Sequence, residues 1–165
     1  MKANSPVGPI LALAIGLAWA FISVHRFFDL PDLVGVVAFS TALALLAPAA
    51  WLIVELADRP RWVMAAAAVV SVGGLVAAIG NFIEDGVGIK SFYLMYSLGI
   101  FGGLAGLVGL AVTLAIERRF RLGVVSLATA AGVLGSEEAG GGLLVLAIWL
   151  VVAAGFGAGR TSFRS

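Results

Sequence analysis

The chain has 165 residues, of which 62% are hydrophobic and 12% charged, and its mean hydropathy is +1.13. A soluble domain is nearer half apolar and a quarter charged, so one water-surrounded core of this length cannot use that much apolar surface and the solvent must be lipid. A net charge of +1 leaves no basic face for nucleic acid, and the absence of cysteine excludes disulfides, thiolate metal sites, iron–sulfur clusters and thiol redox chemistry.

The first segment, MKANSPVGPILALAIGLAWAFIS, has some marks of a secretory signal, with one lysine and Ala18-Trp19-Ala20 as a cleavage site. Its apolar run from Val7 to Val24 is 18 residues, long enough to span a bilayer and long for a signal core, so it is read as a retained helix. Pro9 falls in its first turn, where a missing N–H costs little. The second predicted helix is 33–54, with Pro48 inside it as a kink. The third is 62–83, rich in alanine, with Ser71 and Asn81 as its polar members. The fourth, 92–116, is long enough to tilt. The last apolar stretch reads as a hairpin of 122–134 and 143–156 around a turn at Gly135–Gly142. At about 20 Å, the fifth helix is short for a hydrocarbon core of about 30 Å. Every connection is short, so residues 1–165 are expected to be a single all-α transmembrane domain, six helices in a compact bundle.

Charge sets the expected orientation. With six crossings and the N-terminus inside, Lys2, Arg59, Arg61, Arg118, Arg119, Arg121, Arg160 and Arg164 lie on inner segments, and only Arg26 and Lys90 on outer ones. That eight-to-two bias is the one expected of cytoplasmic loops; a re-entrant fifth segment would reduce it to six against four. Both termini are therefore expected in the cytoplasm. The excess of Ala, Gly, Val and Leu, with eight Arg to two Lys, fits a GC-rich bacterial genome and hence a bacterial inner membrane. Trp51 and Trp62 fall at the inner boundary, and Phe92, Tyr93 and Tyr96 at the outer, as aromatic belts do.

Small residues are expected to hold the bundle together, because lipid gives little hydrophobic drive between helices. Ala12, Gly16 and Ala20 recur every four residues in the first helix. Gly99 and Gly103, then Gly102, Gly106 and Gly109, stripe the fourth, which is expected to be central. Such a stripe serves packing within the chain or a subunit interface, either a homo-oligomer or a partner membrane subunit.

Six of the nine acidic residues fall on the outer side: Asp29, Asp32, Glu84, Asp85, Glu137 and Glu138, with His25 and Asn81 near the same level. Carboxylates with an imidazole suit hard cations or zinc, and a carboxylate at membrane depth can carry protons. Solvated loop acids are the simpler reading for Asp29, Asp32, Glu137 and Glu138, and an interfacial side chain for His25. Asn81 and Glu84 stand apart. They are three residues apart at the end of an apolar helix, and polar groups so placed face a bundle interior or a cavity. Glu84 is the carboxylate expected to act, supported by Asn81 and Asp85 and facing His25. On the inner side, Glu55–Arg59 and Glu117–Arg121 have the spacing of helix-surface ion pairs, and Asp58 joins them as structural.

The chain lacks P-loop, G-x-S-x-G and HExxH motifs. One histidine cannot supply bis-histidine haem ligation, and the last two helices have no lysine for a retinal Schiff base. Three functions stay open: a binding or transport component that captures a cation or small polar ligand at the acidic rim, a structural or assembly subunit docking through the glycine-rich fourth helix, and a metal-dependent intramembrane enzyme using His25 and the carboxylates. A polar cavity between the first, third and fifth helices would favour the first, and a dry, filled interior the second.

Overall fold

The computed structural model describes residues 7–25, 31–136 and 140–157. These residues form an all-α bundle, with no strand among them. The helices are α1 (Val7–Val24), α2 (Asp32–Ala44), α3 (Leu46–Leu56), α4 (Arg61–Asn81), α5 (Tyr93–Ile116), α6 (Phe120–Leu134) and α7 (Gly141–Gly157). Because α2 and α3 are two halves of one kinked segment, four segments are long and apolar enough to cross a membrane: Val7–Val24, Asp32–Leu56, Arg61–Gly86 and Lys90–Ile116. Two shorter apolar helices, Phe120–Leu134 and Gly141–Phe156, complete the bundle.

The segment boundaries follow the backbone chemistry. Pro31 and Pro60, both extended, precede α2 and α4. The break in the second segment falls at Leu45, three residues before Pro48. Proline has no N–H, so Pro48 leaves the Ala44 carbonyl without its helical donor, and the ladder opens one turn upstream of the ring. The Thr41 hydroxyl, which donates to the Val37 carbonyl at 2.7 Å, adds to the bend. The third predicted helix does not run regularly to residue 83. It closes at Asn81, and Phe82–Gly86 forms a π-helical turn sealed by the Val87 amide donating to the Phe82 carbonyl at 3.2 Å. Lys90–Phe92 is a 3₁₀ turn leading into α5. The α6 helix gains two residues on its predicted N-terminal side, and α7 starts at Gly141, inside the predicted turn.

Two tight antiparallel pairs build the bundle. In the first, α4 and α5 fold about Gly88, whose φ of +84° suits glycine. Opposed positions step evenly away from that turn: Gly80 meets Tyr96, Ala77 meets Gly99, Gly73 meets Gly103, and Val70 meets Gly106. A Cβ at Gly106 would stand 2.7 Å from the Val70 amide nitrogen, so the backbones themselves are in contact. In the second pair, α1 lies along α7, with Gly16 against Leu146, Gly8 against the Phe156 ring, and Gly142 against the Trp19 carbonyl. Ala12, Gly16 and Ala20 are buried there.

Between the pairs lies a filled interior. Trp19, Trp149, Ile15, Leu43, Leu107, Leu110, Leu114 and Leu122 are fully enclosed. Trp19, Phe39 and Tyr96 make an edge-to-face chain across α1, α2 and α5. Most buried polar side chains are bonded inside the bundle, the Trp19 indole N–H apart: Trp149 Nε1 donates to Thr129 Oγ1 at 3.2 Å, and Ser126 Oγ donates to the Leu107 carbonyl at 2.7 Å. Such bonds carry what an apolar solvent cannot.

The two ends of the bundle differ in charge. At one, Arg119 of the α5–α6 turn donates to Asp58 of the α3–α4 turn at 2.8 Å, and Glu55 pairs with Arg59 as their spacing predicts. At the other lie the π turn and the start of α2, where Gly86 adjoins Val36. Ser23 Oγ of α1 donates to the Ser136 carbonyl beyond α6 at 3.1 Å and accepts from the Gly142 amide at 2.9 Å, also at this end. The short α6 thus runs from one end of the bundle to the other. With Gly8 beside Phe156, both ends of the described chain emerge at the arginine end.

Candidate functional site

The π turn at the end of α4 carries the acidic residues singled out from the sequence. A π turn holds one more residue per loop of backbone than an α turn, so it shifts every following side chain off the α-helical faces. That separates Asn81 from Glu84, which the three-residue spacing had put on one face. Asn81 is buried and turns inward, where its Nδ2 donates to Ser40 Oγ of α2 at 3.0 Å. It pins α4 to α2 and is not a support for Glu84.

Glu84 sits one turn further out. Its side chain is only 12% exposed, while that of Asp85 is 48% exposed. Lys90, on the 3₁₀ turn that closes the loop, reaches both: its Nζ donates to Asp85 Oδ1 at 3.1 Å and lies 3.9 Å from Glu84 Oε1. The better bond therefore goes to the more exposed acid, and the half-sunk one shares the counter-ion at the limit of pairing.

His25, expected near the same level, lies at the end of α1. Its Nδ1 is 2.6 Å from the Ile22 carbonyl, its ring stacks on Phe21, and its Nε2 edge covers Gly35 of α2. It is a lid on the α1–α2 contact. Asp32 opens α2, where a carboxylate complements the positive end of the helix. Asp29, Glu137 and Glu138 lie outside the described residues. Among the described residues no three His, Cys, Asp or Glu side chains gather closely enough to hold a metal ion.

The glycine stripe divides. Gly99, Gly103 and Gly106 face α4, whereas Gly102 lies at the edge of the seam and a Cβ at Gly109 would meet nothing within 4 Å. A 410 Å³ open groove follows that seam, lined by Ala68, Val72, Gly73, Val76, Leu98 and Gly102 among others. A second groove of 330 Å³ continues it past Met95 to Phe92. Both are apolar, and neither borders Asn81, Glu84 or His25.

Two partners escaped the sequence reading. Ser40 is one of a pair of hydroxyl residues inside an apolar run, a signal of the kind that identified Asn81. Lys90 is the one lysine beyond the N-terminal segment, five residues from Asp85 across a Gly88 turn. No family model matches the chain, and no curated protein or solved structure compared with it is significantly similar.

Proposed function

We propose that the chain is a structural or assembly subunit of a bacterial inner-membrane complex, crossing the bilayer six times with both termini cytoplasmic. The observation that carries the subunit reading is the interior. Among the described residues Trp19, Trp149 and Leu107, Leu110 and Leu114 of α5 are buried between the helices, and the buried Asn81, Ser126 and Trp149 side chains bond within the bundle. A protein that moves or captures a polar ligand within its bundle needs a wet path there; this interior offers close packing.

The docking face in this reading is the α4–α5 groove, and its occupant is an apolar transmembrane helix of a partner subunit. Gly73, Gly99 and Gly102 form its small-residue floor, and exposed Val69, Val72 and Leu98 its walls, the arrangement that lets another helix backbone come close. A photo-crosslinker at Val72 should capture one protein of fixed mass in native membranes. Gly102→Leu, by filling the floor, should cut that yield about ten-fold, since overpacking costs about 1–3 kcal/mol. Crosslinks to lipid alone would refute docking; an adduct of twice the chain's mass makes the partner a second copy.

The orientation rests on the arginine bias and on both described chain ends lying at the arginine end. Reporter fusions at Arg59 and Arg119 should read cytoplasm and one at Gly88 outside. A fusion at the C-terminus that reads outside would overturn six crossings.

A second reading, capture of a cation or small polar ligand at the acidic rim, is supported by one specific observation: Glu84 is largely withdrawn from water, yet among the described residues its counter-ion, Lys90, is shared with Asp85.

A further inference from the structure

The arginine end carries the orientation argument, but neither the docking nor the capture reading gives it a ligand. Five arginines, Arg59, Arg61, Arg118, Arg119 and Arg121, stand on two adjacent turns with three acids, Glu55, Asp58 and Glu117. Glu55 pairs with Arg59 within its own turn and Asp58 with Arg119 across the two turns, so the second bridge ties the turns together, and the five arginines still outnumber the three acids by two. Both turns close through residues in the left-handed region, Asp58 (φ 64°) and Arg118 (φ 57°), with the Arg59 and Arg119 amides donating back to the Val54 and Leu114 carbonyls. Each turn then delivers its chain straight into a helix start. Neither α4 nor α6 has a side-chain cap or an acidic residue in its first turn, so both present bare amides beside the arginines.

The same end is greasy below its charges. Trp62 is 67% exposed, with the Arg61 guanidinium 5.9 Å above its ring, and Ile116 and Phe120 are exposed beside the second turn. A soluble anion would need only the donors. A charged rim above an exposed apolar belt fits a ligand that has an anionic head and a hydrocarbon body.

We propose that this end binds the phosphodiester headgroup of an acidic glycerophospholipid, with the arginines and helix amides on the phosphate and Trp62, Ile116 and Phe120 along the acyl chains. The proposal rests on the chain lying in a bilayer, and the test separates the two. The full-length protein is reconstituted in vesicles containing brominated phosphatidylglycerol or brominated phosphatidylcholine, and tryptophan quenching is read. Both lipids carry a phosphodiester, but only the first is anionic. Quenching by brominated phosphatidylglycerol should exceed that by the zwitterionic lipid, and the preference should weaken with salt. Arg61→Gln and Arg118→Gln, both at exposed positions, should each reduce the preference about five-fold, while the thermal midpoint holds. Equal quenching by both lipids, or a preference unchanged in both variants, overturns the proposal while leaving the membrane reading intact. Quenching by neither lipid overturns the membrane reading itself. Displacement of phosphatidylglycerol by millimolar inorganic phosphate would make the site one for a free anion and equally overturn the assignment to lipid.

Discussion

Gly99→Leu or Gly106→Leu should leave little folded protein, or lower the thermal midpoint in mild detergent by about 10 °C or more. At both positions even a Cβ meets backbone: at Gly106 it would lie 2.7 Å from the Val70 nitrogen, and at Gly99 it would fall on the Ala77 backbone. A flexible side chain can swing aside, but a helix backbone cannot, so the substitution must push α4 and α5 apart along their length. Without a hydrophobic drive between helices in lipid, those lost contacts have no substitute. Two controls make the effect specific. At Gly109 a Cβ meets nothing within 4 Å, so Gly109→Leu should be neutral or slightly stabilising, because glycine is a poor helix former. At Gly103 the nearest atom would be 3.6 Å away, an ordinary contact, so Gly103→Ala should be tolerated. Gly88→Leu adds no clash but must hold φ of +84°, a strain of about 1–2 kcal/mol. Equal midpoints for the Gly99, Gly106 and Gly109 variants would remove the α4–α5 contact from the centre of the fold.

That ranking was only half legible in the sequence. The stripe itself is visible as spacing, but which of its members meet another helix depends on the register of the partner, and register is set by the turn. Once Gly88 is known as the pivot, Gly73 and Gly80 in α4 become the natural counterparts of Gly103 and Tyr96 in α5. The sequence offered that clue as Gly73 and Gly80, seven residues apart in an alanine-rich helix, and Gly99 and Gly106 with the same spacing in the next, the two pairs interleaving along the seam instead of standing opposite each other. Helix positions were readable because apolar runs bounded by Pro and Arg leave few choices. The break at Leu45 was displaced from Pro48 because proline disrupts the carbonyl four residues before it, not its own position.

The site was less legible, for a geometric reason. Inference from a three-residue spacing assumes α-helical periodicity, and the chain abandons that periodicity at Phe82. An i→i+5 bond leaves no mark in composition, so Asn81 and Glu84 were assigned one face when they serve different contacts. Asn81 joins Ser40 inside the bundle, while Glu84 and Asp85 converge on Lys90 at its rim. The polar character of the segment was readable; its division into a fastener and an ionic cluster was not.

The cation-capture reading makes a prediction with opposite signs at two residues. Lys90 is 73% exposed and reaches Asp85 at 3.1 Å but Glu84 only at 3.9 Å, so its ammonium is a tethered, mostly hydrated occupant of the rim. The Lys90–Asp85 pair is exposed and contributes little to stability, and Lys90 reaches Glu84 only at 3.9 Å, so neutralising Lys90 or Glu84 should not unfold the protein. If the rim takes a cation, Lys90 competes with it. Lys90→Gln should then strengthen binding of calcium or magnesium, measured by titration calorimetry of the full-length protein in detergent, because both carboxylates are freed. Glu84→Gln should abolish that binding, since it keeps the shape and removes the charge from the less hydrated of the two acids. The fold should survive in both variants. If the chain is purely structural, the two substitutions should leave no binding to gain or lose. Failure of the Lys90→Gln protein to bind either ion at millimolar concentration, or unchanged binding in Glu84→Gln, would sink the capture reading and leave the rim as a closing clasp of the α4–α5 hairpin.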